Sequence, residues 1–517
     1  MAPQSPLSDY RVVVGIDFGT TFSGAAYGFV SSDEITDITN WPKQSSIRYP
    51  KTPTMSLYNR VDKTLAMWGN AARLEKNKTP PSGDYLFLQQ YKLYLDDRLD
   101  GVFQPIPGGF NPISVIADYL REFHAHILNE MKRGFAQQFE GRYRYCLTVP
   151  AMWSDRSKQA MRMAAIESGI IDKDDHPDRL MLISEPEAAA IYCEQTSDQF
   201  DMKDGDEFMI CDAGGGTVDL IVFAVEQNAD GRRRFKETTK GTGKSCGSTF
   251  VDRRMRKLLR SKLKRVVDNI PQQALEAMME HFVDIMKPSF DGQDSLYLPV
   301  PMSLGLKEHT DPSIELDDGV LRFSAEDLKE RVFEPVVKDV LQLLHEQRAQ
   351  THNLKAIFTV GGFGASQYLH QRILEEFGPL GIKVIAPYRP ELAVARGAVL
   401  FGKNPTMVAT RVPRYWYGIG ITNTFVEGVD PEEYKIIKPD GSVRCDHRFS
   451  TYVRRGVPLA VDSCVTKTYS ATYPHPTAFT FYAASTEDEP RRQTRRSGAD
   501  GHQNVFRRDR ASRGSCY

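Results

Sequence analysis

No run of apolar residues approaches the roughly 18 needed to span a bilayer, and the opening MAPQSPLSDY has neither the charged nor the apolar part of a signal peptide. The expectation is a cytoplasmic chain, or a nuclear one, with no membrane partner. Net charge is nearly absent as well. Lys and Arg number 66 against 67 Asp and Glu, so the formal charge of -1 supplies no global attraction for nucleic acid or acidic lipid. Cysteine is sparse, odd in number and never arranged as CxxC: Cys146, Cys193, Cys211, Cys246, Cys445, Cys464 and Cys516. That pattern argues against a disulfide framework or a zinc cluster and for reduced thiols that pack.

What is present is an ordinary globular composition, 41% hydrophobic and 26% charged, in a 517-residue chain too long for one core. Strand-like apolar runs alternate with helical patterns, the mark of an α/β protein. YRYCLTVPAMW reads as a strand stopped at Pro150, and Ser154 to Gly169 as a helix with a serine cap and a glycine stop. RLMLISEPEAAAIYCEQ is strand then helix, and the polar stretch from Thr196 to Glu207 separates two halves. In the second half, Lys355 to Gly378 reads strand, Gly-Gly turn, helix, and Arg389 to Lys403 is a helix thick with small residues. Beyond Asn404, β-branched and aromatic residues alternate with polar ones, which predicts a β-rich appendage. Pro490 to Tyr517 holds eight arginines and few large apolar residues, the composition of a disordered tail.

Two stretches carry the chemistry. In RVVVGIDFGTTFSG an apolar strand runs into Asp17 and then a Gly-Thr-Thr turn, and FMICDAGGGTVDLIVFAV repeats the device at Asp212. Such a hairpin turn offers backbone N–H groups and hydroxyls to phosphate oxygens. A carboxylate beside that anion requires a cation between them. Mg²⁺ fits, because it keeps several waters and takes its direct contacts from phosphates, leaving Asp17 and Asp212 to hold the waters. A single Asp-x-Gly-Thr would read as an exposed turn; two copies, each with strands on both sides, read as two jaws on one polyphosphate.

With GIDFGTTFSG, TVPAMW, SEPEAAAIY, DAGGGTVDL, CGSTFVD, VGGFGAS and PELAVARGAVLFG in this order, the chain from Tyr10 to Lys403 resembles the actin, hexokinase and heat-shock ATPase superfamily. The closest likeness is to the seventy-kilodalton heat-shock (DnaK-type chaperone) family. The resemblance implies a two-lobed actin-like ATPase fold, with ribonuclease H-like lobes of mixed sheet and flanking helices, plus the short β-rich C-terminal region. Lobe I would be 9–204 completed by 390–404, lobe II 205–389, the β-rich region 411–486 and the tail 490–517. The resemblance further implies ATP or ADP with Mg²⁺ as cofactors, held by Gly19, Thr20, Thr21, Phe22, Gly214, Gly215, Gly216, Thr217, Gly247, Ser248, Lys287, Gly361, Gly362, Phe363 and Glu391. Lys92, Glu185, Asp212 and Thr217 would be catalytic, with Asp17 and Asp212 holding the metal through water. Phosphoryl transfer to water is mostly positioning and charge neutralisation, which suits that set. Small residues, Ala188 to Ala190 on one helix and Ala393, Ala395, Gly397 and Ala398 on another, would let two helices cross closely where the lobes hinge. Pro150 matches the proline that relays lobe state in the family.

The chain also departs from that pattern. Ala365 stands where the family keeps an arginine that stacks on adenine, and Pro288 follows Lys287 where a second basic residue is usual. Nothing after Asn404 reads as a long helical lid, and CDHRFSTYVRRGVPL is similar to the divergent member-twelve branch. A protein client or co-chaperone is the expected partner, with no nucleic acid, and the sequence does not fix the oligomeric state. Two other readings of the same fold stay open: a small-molecule, sugar-type kinase, and a non-hydrolysing nucleotide-gated binding or filament protein. Among decoys, GTGKS at Gly241 to Ser245 lacks the first P-loop glycine, which is Thr238. The basic stretch Val251 to Val267 has apolar positions at helical spacing and reads as a helix packed on one face. His124 and His126, two residues apart on a helix, make a poor metal pair.

Overall fold

The computed structural model describes residues 10–44, 49–76, 83–97, 105–134, 141–196, 201–227, 233–306, 308–461, 463–470, 479–490 and 504–507. The chain divides into two compact units, one of 5–225 with 241–407, the other of 1–4 and 226–240 with 408–517.

The larger unit holds two sheets built on one plan. In the first, β1 (Val12–Phe18) pairs antiparallel with β2 (Phe22–Phe29) on one side. On its other side lies β3 (Tyr143–Val149), parallel to it, and β4 (Leu180–Ser184) is parallel to β3. Helix α1 (Glu185–Thr196) follows β4 directly. The second sheet repeats this order with β5 (Glu207–Ala213) antiparallel to β6 (Val218–Gln227) and parallel to β7 (Leu354–Val360). Strands β1, β3 and β5 are buried along their whole length, which is why their sequences are largely apolar on both faces and not simply alternating. Each sheet has its own core. Val12, Val14 and Ile16 pack with Phe123 and Ile127 of the helix Pro112–Gly134, while Met209 and Cys211 pack with Met255 and Leu259 of the helix Ser248–Leu263. Each such side chain contributes about 1.5–3 kcal/mol on full burial.

Helix α2 (Ala393–Lys403) returns to the first sheet and crosses α1. It begins at Ala393 and not at Arg389, because Pro390 opens a short 3₁₀ turn before it. The crossing depends on small residues: a Cβ on Gly397 would stand 1.7 Å from the Ala188 carbonyl oxygen, and one on Gly15 of β1 would stand 2.3 Å from the Ala395 oxygen.

The sequence reading holds at several local points. Ser154 caps the helix Asp155–Glu167 through its Oγ and Gly169 follows the helix end at φ +79. The basic helix Ser248–Leu263 buries Val251, Met255, Leu258, Leu259 and Leu263. Thr242–Lys244 of the GTGKS stretch is a strand paired to β6, not a phosphate loop. Among the described residues Cys146, Cys193, Cys211, Cys246 and Cys445 are buried, and Cys464 is exposed.

In the smaller unit, Trp416–Thr424 is flanked by Val443–Val453 and Thr480–Ala484, all antiparallel, and Lys435–Ile437 borders Val443–Val453. Among the described residues no α-helix follows Lys403. The expected tail needs one correction. Within it, Asn504–Arg507 forms a strand antiparallel to Thr480–Ala484, whose outer edge otherwise leaves backbone N–H and C=O groups to be paired. The rest of Arg491 to Tyr517 lies outside the described residues.

Candidate functional site

The two hairpins point their turns at each other across a cleft of about 750 Å³ in the larger unit. Gly19, Thr20, Thr21 and Phe22 form the wall contributed by the first sheet, and Gly214, Gly215, Gly216 and Thr217 the wall contributed by the second. The turns meet closely: a Cβ on Gly215 would stand 2.1 Å from Thr21 Oγ1, and one on Gly216 would stand 2.9 Å from Thr20 Oγ1. A side chain at either glycine would have to displace the threonine that faces it. The second turn is closed by the Gly214 N–H donating to the Thr217 carbonyl at 2.9 Å. Behind it, the Gly247 and Ser248 N–H groups donate to the Gly216 and Gly214 carbonyls, so they brace the turn. Ser248 lines the cleft; Gly247, alone among the residues expected there, does not.

Gly361 needs its glycine twice over. Its φ is +85, and a Cβ would stand 2.6 Å from Asp212 Oδ1. Gly362 faces Tyr49, whose hydroxyl would stand 2.9 Å from a Cβ there.

Charge in the cleft floor is arranged in pairs. Lys92 Nζ donates to Glu185 Oε1 at 2.5 Å, with the two side chains 4% and 10% exposed. The Lys92 ammonium also lies 5.5 Å from the Trp153 ring centroid and 5.9 Å from that of Phe18. Burial pushes the Glu185 carboxyl up to about 7; Lys92 opposes the shift while the charges of Asp17 and Asp219 add to it. A second pair was not expected from the sequence. Lys51 Nζ donates to Asp17 Oδ2 at 2.5 Å, both side chains 7% exposed. Burial works against the Lys51 ammonium, but Asp17 beside it holds its pKa above the ordinary lysine value. Asp212 has no such match. Burial, then the charges of Glu185, Asp17 and Asp219, hold its carboxyl well above the usual carboxylate range, with the charge of Lys51 opposing them.

The excess of desolvated negative charge at Asp212 is what a cation there would relieve, and an oxygen donor suits a hard ion such as Mg²⁺. No group of three or more His, Cys, Asp or Glu side chains able to hold a metal occurs among the described residues. Asp212 offers its carboxylate to the cleft, whereas Asp17 is engaged by Lys51.

At the outer end of the cleft lie Lys287, Pro288, Ile285, Phe363, Ala365 and Glu391. The Lys287 ammonium is tied to Asp252 at 2.8 Å, and Glu391 accepts from Arg389 at 2.8 Å. Phe363 is 2% exposed and packs in the second core, whereas Ile285 is 55% exposed. Arg73 closes this end, with its guanidinium 3.1 Å from Glu280 and 2.5 Å from Asp284. Lys51, Tyr49, Arg73 and Ile285 are site residues that motif reasoning passed over. The KTP of Lys51 to Pro53 could have signalled the first, since Thr52–Pro53 pairs with Phe22 and Ser23 beside the phosphate turn.

The family model described as Hsp70 protein matches residues 119–405. The chain is 27% identical to human "Heat shock 70 kDa protein 12B" over 92% of its own length and 80% of that protein's. It is also 27% identical to mouse "Heat shock 70 kDa protein 12A", over 91% of its length and 81% of the relative's. A more distant likeness is to the "Chaperone protein DnaK" of Thermosipho melanesiensis, 25% identical over 76% of this chain and 59% of that one.

Proposed function

The chain belongs to the Hsp70 family, in the divergent branch with proteins 12A and 12B, and from that premise we propose that it is a Mg²⁺-dependent ATPase switch. The observation that carries this reading is the meeting of two phosphate-type turns over a buried Lys92–Glu185 pair. In-line attack of water on a terminal phosphate asks the protein for position and for positive charge, and little covalent chemistry. Thr20, Thr21 and Thr217 with the turn amides would cradle the phosphate oxygens. Lys92 would offset charge on the terminal phosphate, and Glu185, ionised, would orient the attacking water and accept its proton. When bound, Mg²⁺ would add Lewis-acid neutralisation of the phosphate oxygens, with Asp212 holding its water. A protein client or co-chaperone is the partner class we propose, gripped by an atypical, reduced β-rich region without a helical lid.

Calorimetric titration with ATP and ADP, followed by phosphate release with no metabolite added, tests the reading. Binding with slow release that sugars leave unchanged is the expected result. Release only with an added acceptor would make the protein a kinase, and binding without turnover or with ATP-driven polymers would make it a nucleotide-gated binder.

A further inference from the structure

The Lys51–Asp17 pair has a construction of its own. Asp17 on β1 stands opposite Gly24 on β2. A Cβ at Gly24 would come 2.8 Å from Lys51 Cγ, so the lysine stem runs through the space that the missing side chain leaves. Its backbone is fixed from the next residue on, where Thr52–Pro53 pairs with Phe22 and Ser23 and the Thr54 N–H donates to the Thr21 carbonyl at 2.8 Å. The ammonium is thereby delivered to Asp17 at 2.5 Å and to the wall of the nucleotide cleft. The second hairpin has no counterpart: Asp212 stands opposite Asp219, a second carboxylate. Among the described residues, the first jaw pairs its strand-end carboxylate with an ammonium at 2.5 Å, and no such pair is seen at Asp212.

We infer that Lys51 is a built-in cation of the nucleotide site, which balances Asp17 and faces the polyphosphate so that nucleotide binding leans only weakly on divalent metal. The inference deepens the nucleotide-binding reading and rests on it. A carboxylate in a partly desolvated cleft repels a polyphosphate unless some cation stands between them. Beside Asp17 that cation is an ammonium already attached to the chain, so removing free metal leaves this half of the site neutral. Metal then acts mainly on the Asp212 side. A purely structural stitch between Lys51 and Asp17 would lend the fold stability without changing the ratio of metal-free to metal-loaded affinity.

The test is direct binding of ATP to the full chain by calorimetry, in excess Mg²⁺ and in excess chelator, with no turnover measured. For the unmodified protein, removing Mg²⁺ should weaken ATP by no more than about tenfold. In Lys51→Met the same removal should weaken it by about a hundredfold or more, and Lys51→Arg should restore the smaller factor. Gly24→Ala, which displaces the lysine stem and alters neither charge, should move the ratio in the same direction as Lys51→Met. A hundredfold or greater dependence on Mg²⁺ in the unmodified protein overturns the inference without any variant being needed. An unchanged ratio in a folded Lys51→Met, judged by its melting temperature, overturns it as well. Failure of the unmodified protein to bind ATP in either condition defeats the nucleotide reading itself, and this inference with it.

Discussion

Lys92 Nζ stands 2.5 Å from Glu185 Oε1, an ion pair joining the 3₁₀ turn Tyr91–Leu95 to the first residue of helix α1. Breaking a buried pair from one side typically costs about 3–5 kcal/mol, because the charge left behind has no partner. Glu185 can escape part of that cost by taking up a proton. Lys92→Ala is therefore expected to destabilise the protein more at pH 8 than at pH 5, as read by urea unfolding at both. In single-turnover assays it should slow hydrolysis by about 10²–10³-fold, since the charge acts mostly on the transition state. The ATP dissociation constant should rise by only a fewfold. Turnover equal to that of the unmodified protein would exclude Lys92 from the site.

The position of Glu185 on the pH scale makes a second prediction. Its carboxyl titrates near 7 in the folded chain, raised by burial from an ordinary value of 4.5. Only the ionised form accepts a proton, so kcat should climb as pH rises through about 7 and then level off. For stability the sign runs the other way. The folded state binds this proton more tightly than the unfolded state does, so stability is greatest below 4.5 as far as this group is concerned. It declines as pH rises from there through about 7. Glu185→Gln should abolish the rising limb of the rate profile at whatever activity remains. A limb that persists in that variant belongs to another group.

The two glycine-rich hairpin turns, the acidic strand ends and the Gly361 turn were legible because each is local. A strand, a turn residue and a strand within about fifteen residues specify their own geometry through backbone conformation and steric room. Lys51 was not legible for the opposite reason. It reaches Asp17 across 34 positions of chain, and only the pairing of Thr52–Pro53 with β2 brings it there. Arg73 reaches Glu280 across 207 positions, and no period or motif encodes such a contact. The strand Asn504–Arg507 was missed because composition described the segment around it, whereas strand pairing is decided by the edge that receives it.

Gly397 allows the helix crossing to be tested with an inverted sign. By helix propensity alone, Gly397→Ala in the interior of α2 should stabilise the chain by about 0.8–1 kcal/mol. The crossing says otherwise, since the new Cβ would lie 1.7 Å from the Ala188 carbonyl oxygen, which is backbone and cannot rotate away. A loss of about 3 kcal/mol or more is expected by denaturant unfolding, at the upper end of overpacking. Gly83→Ala is the control, because its Cβ would meet nothing within 4 Å and its φ is not left-handed, so it should change stability by less than about 0.5 kcal/mol. Stabilisation by Gly397→Ala would mean that α1 and α2 do not cross this closely.

The outer end of the cleft sets the last expectation, on base selectivity. A guanidinium lying flat on adenine adds roughly 1–2 kcal/mol, about tenfold in affinity. Ala365 removes that group, and the two cations nearby are committed elsewhere, Lys287 to Asp252 and Arg73 to Glu280 and Asp284. The cleft lining there includes an apolar wall of Pro288, Ala365 and the exposed Ile285, on which the base is expected to pack. Such a wall packs a purine without reading its edge, so ATP and GTP should bind within about tenfold of one another. Ile285→Ala should weaken both by the same factor, because it removes packing and adds no hydrogen-bonding group that could favour either base. Ala365→Arg should strengthen both purines, by about tenfold for ATP, and leave hydrolysis of bound nucleotide unchanged, since the proposed phosphate contacts lie in the two hairpin turns. Competitive titrations of a fluorescent nucleotide with ATP and GTP decide the matter. A preference for ATP of a hundredfold or more in the unmodified protein would mean that a polar group in this wall reads the adenine edge.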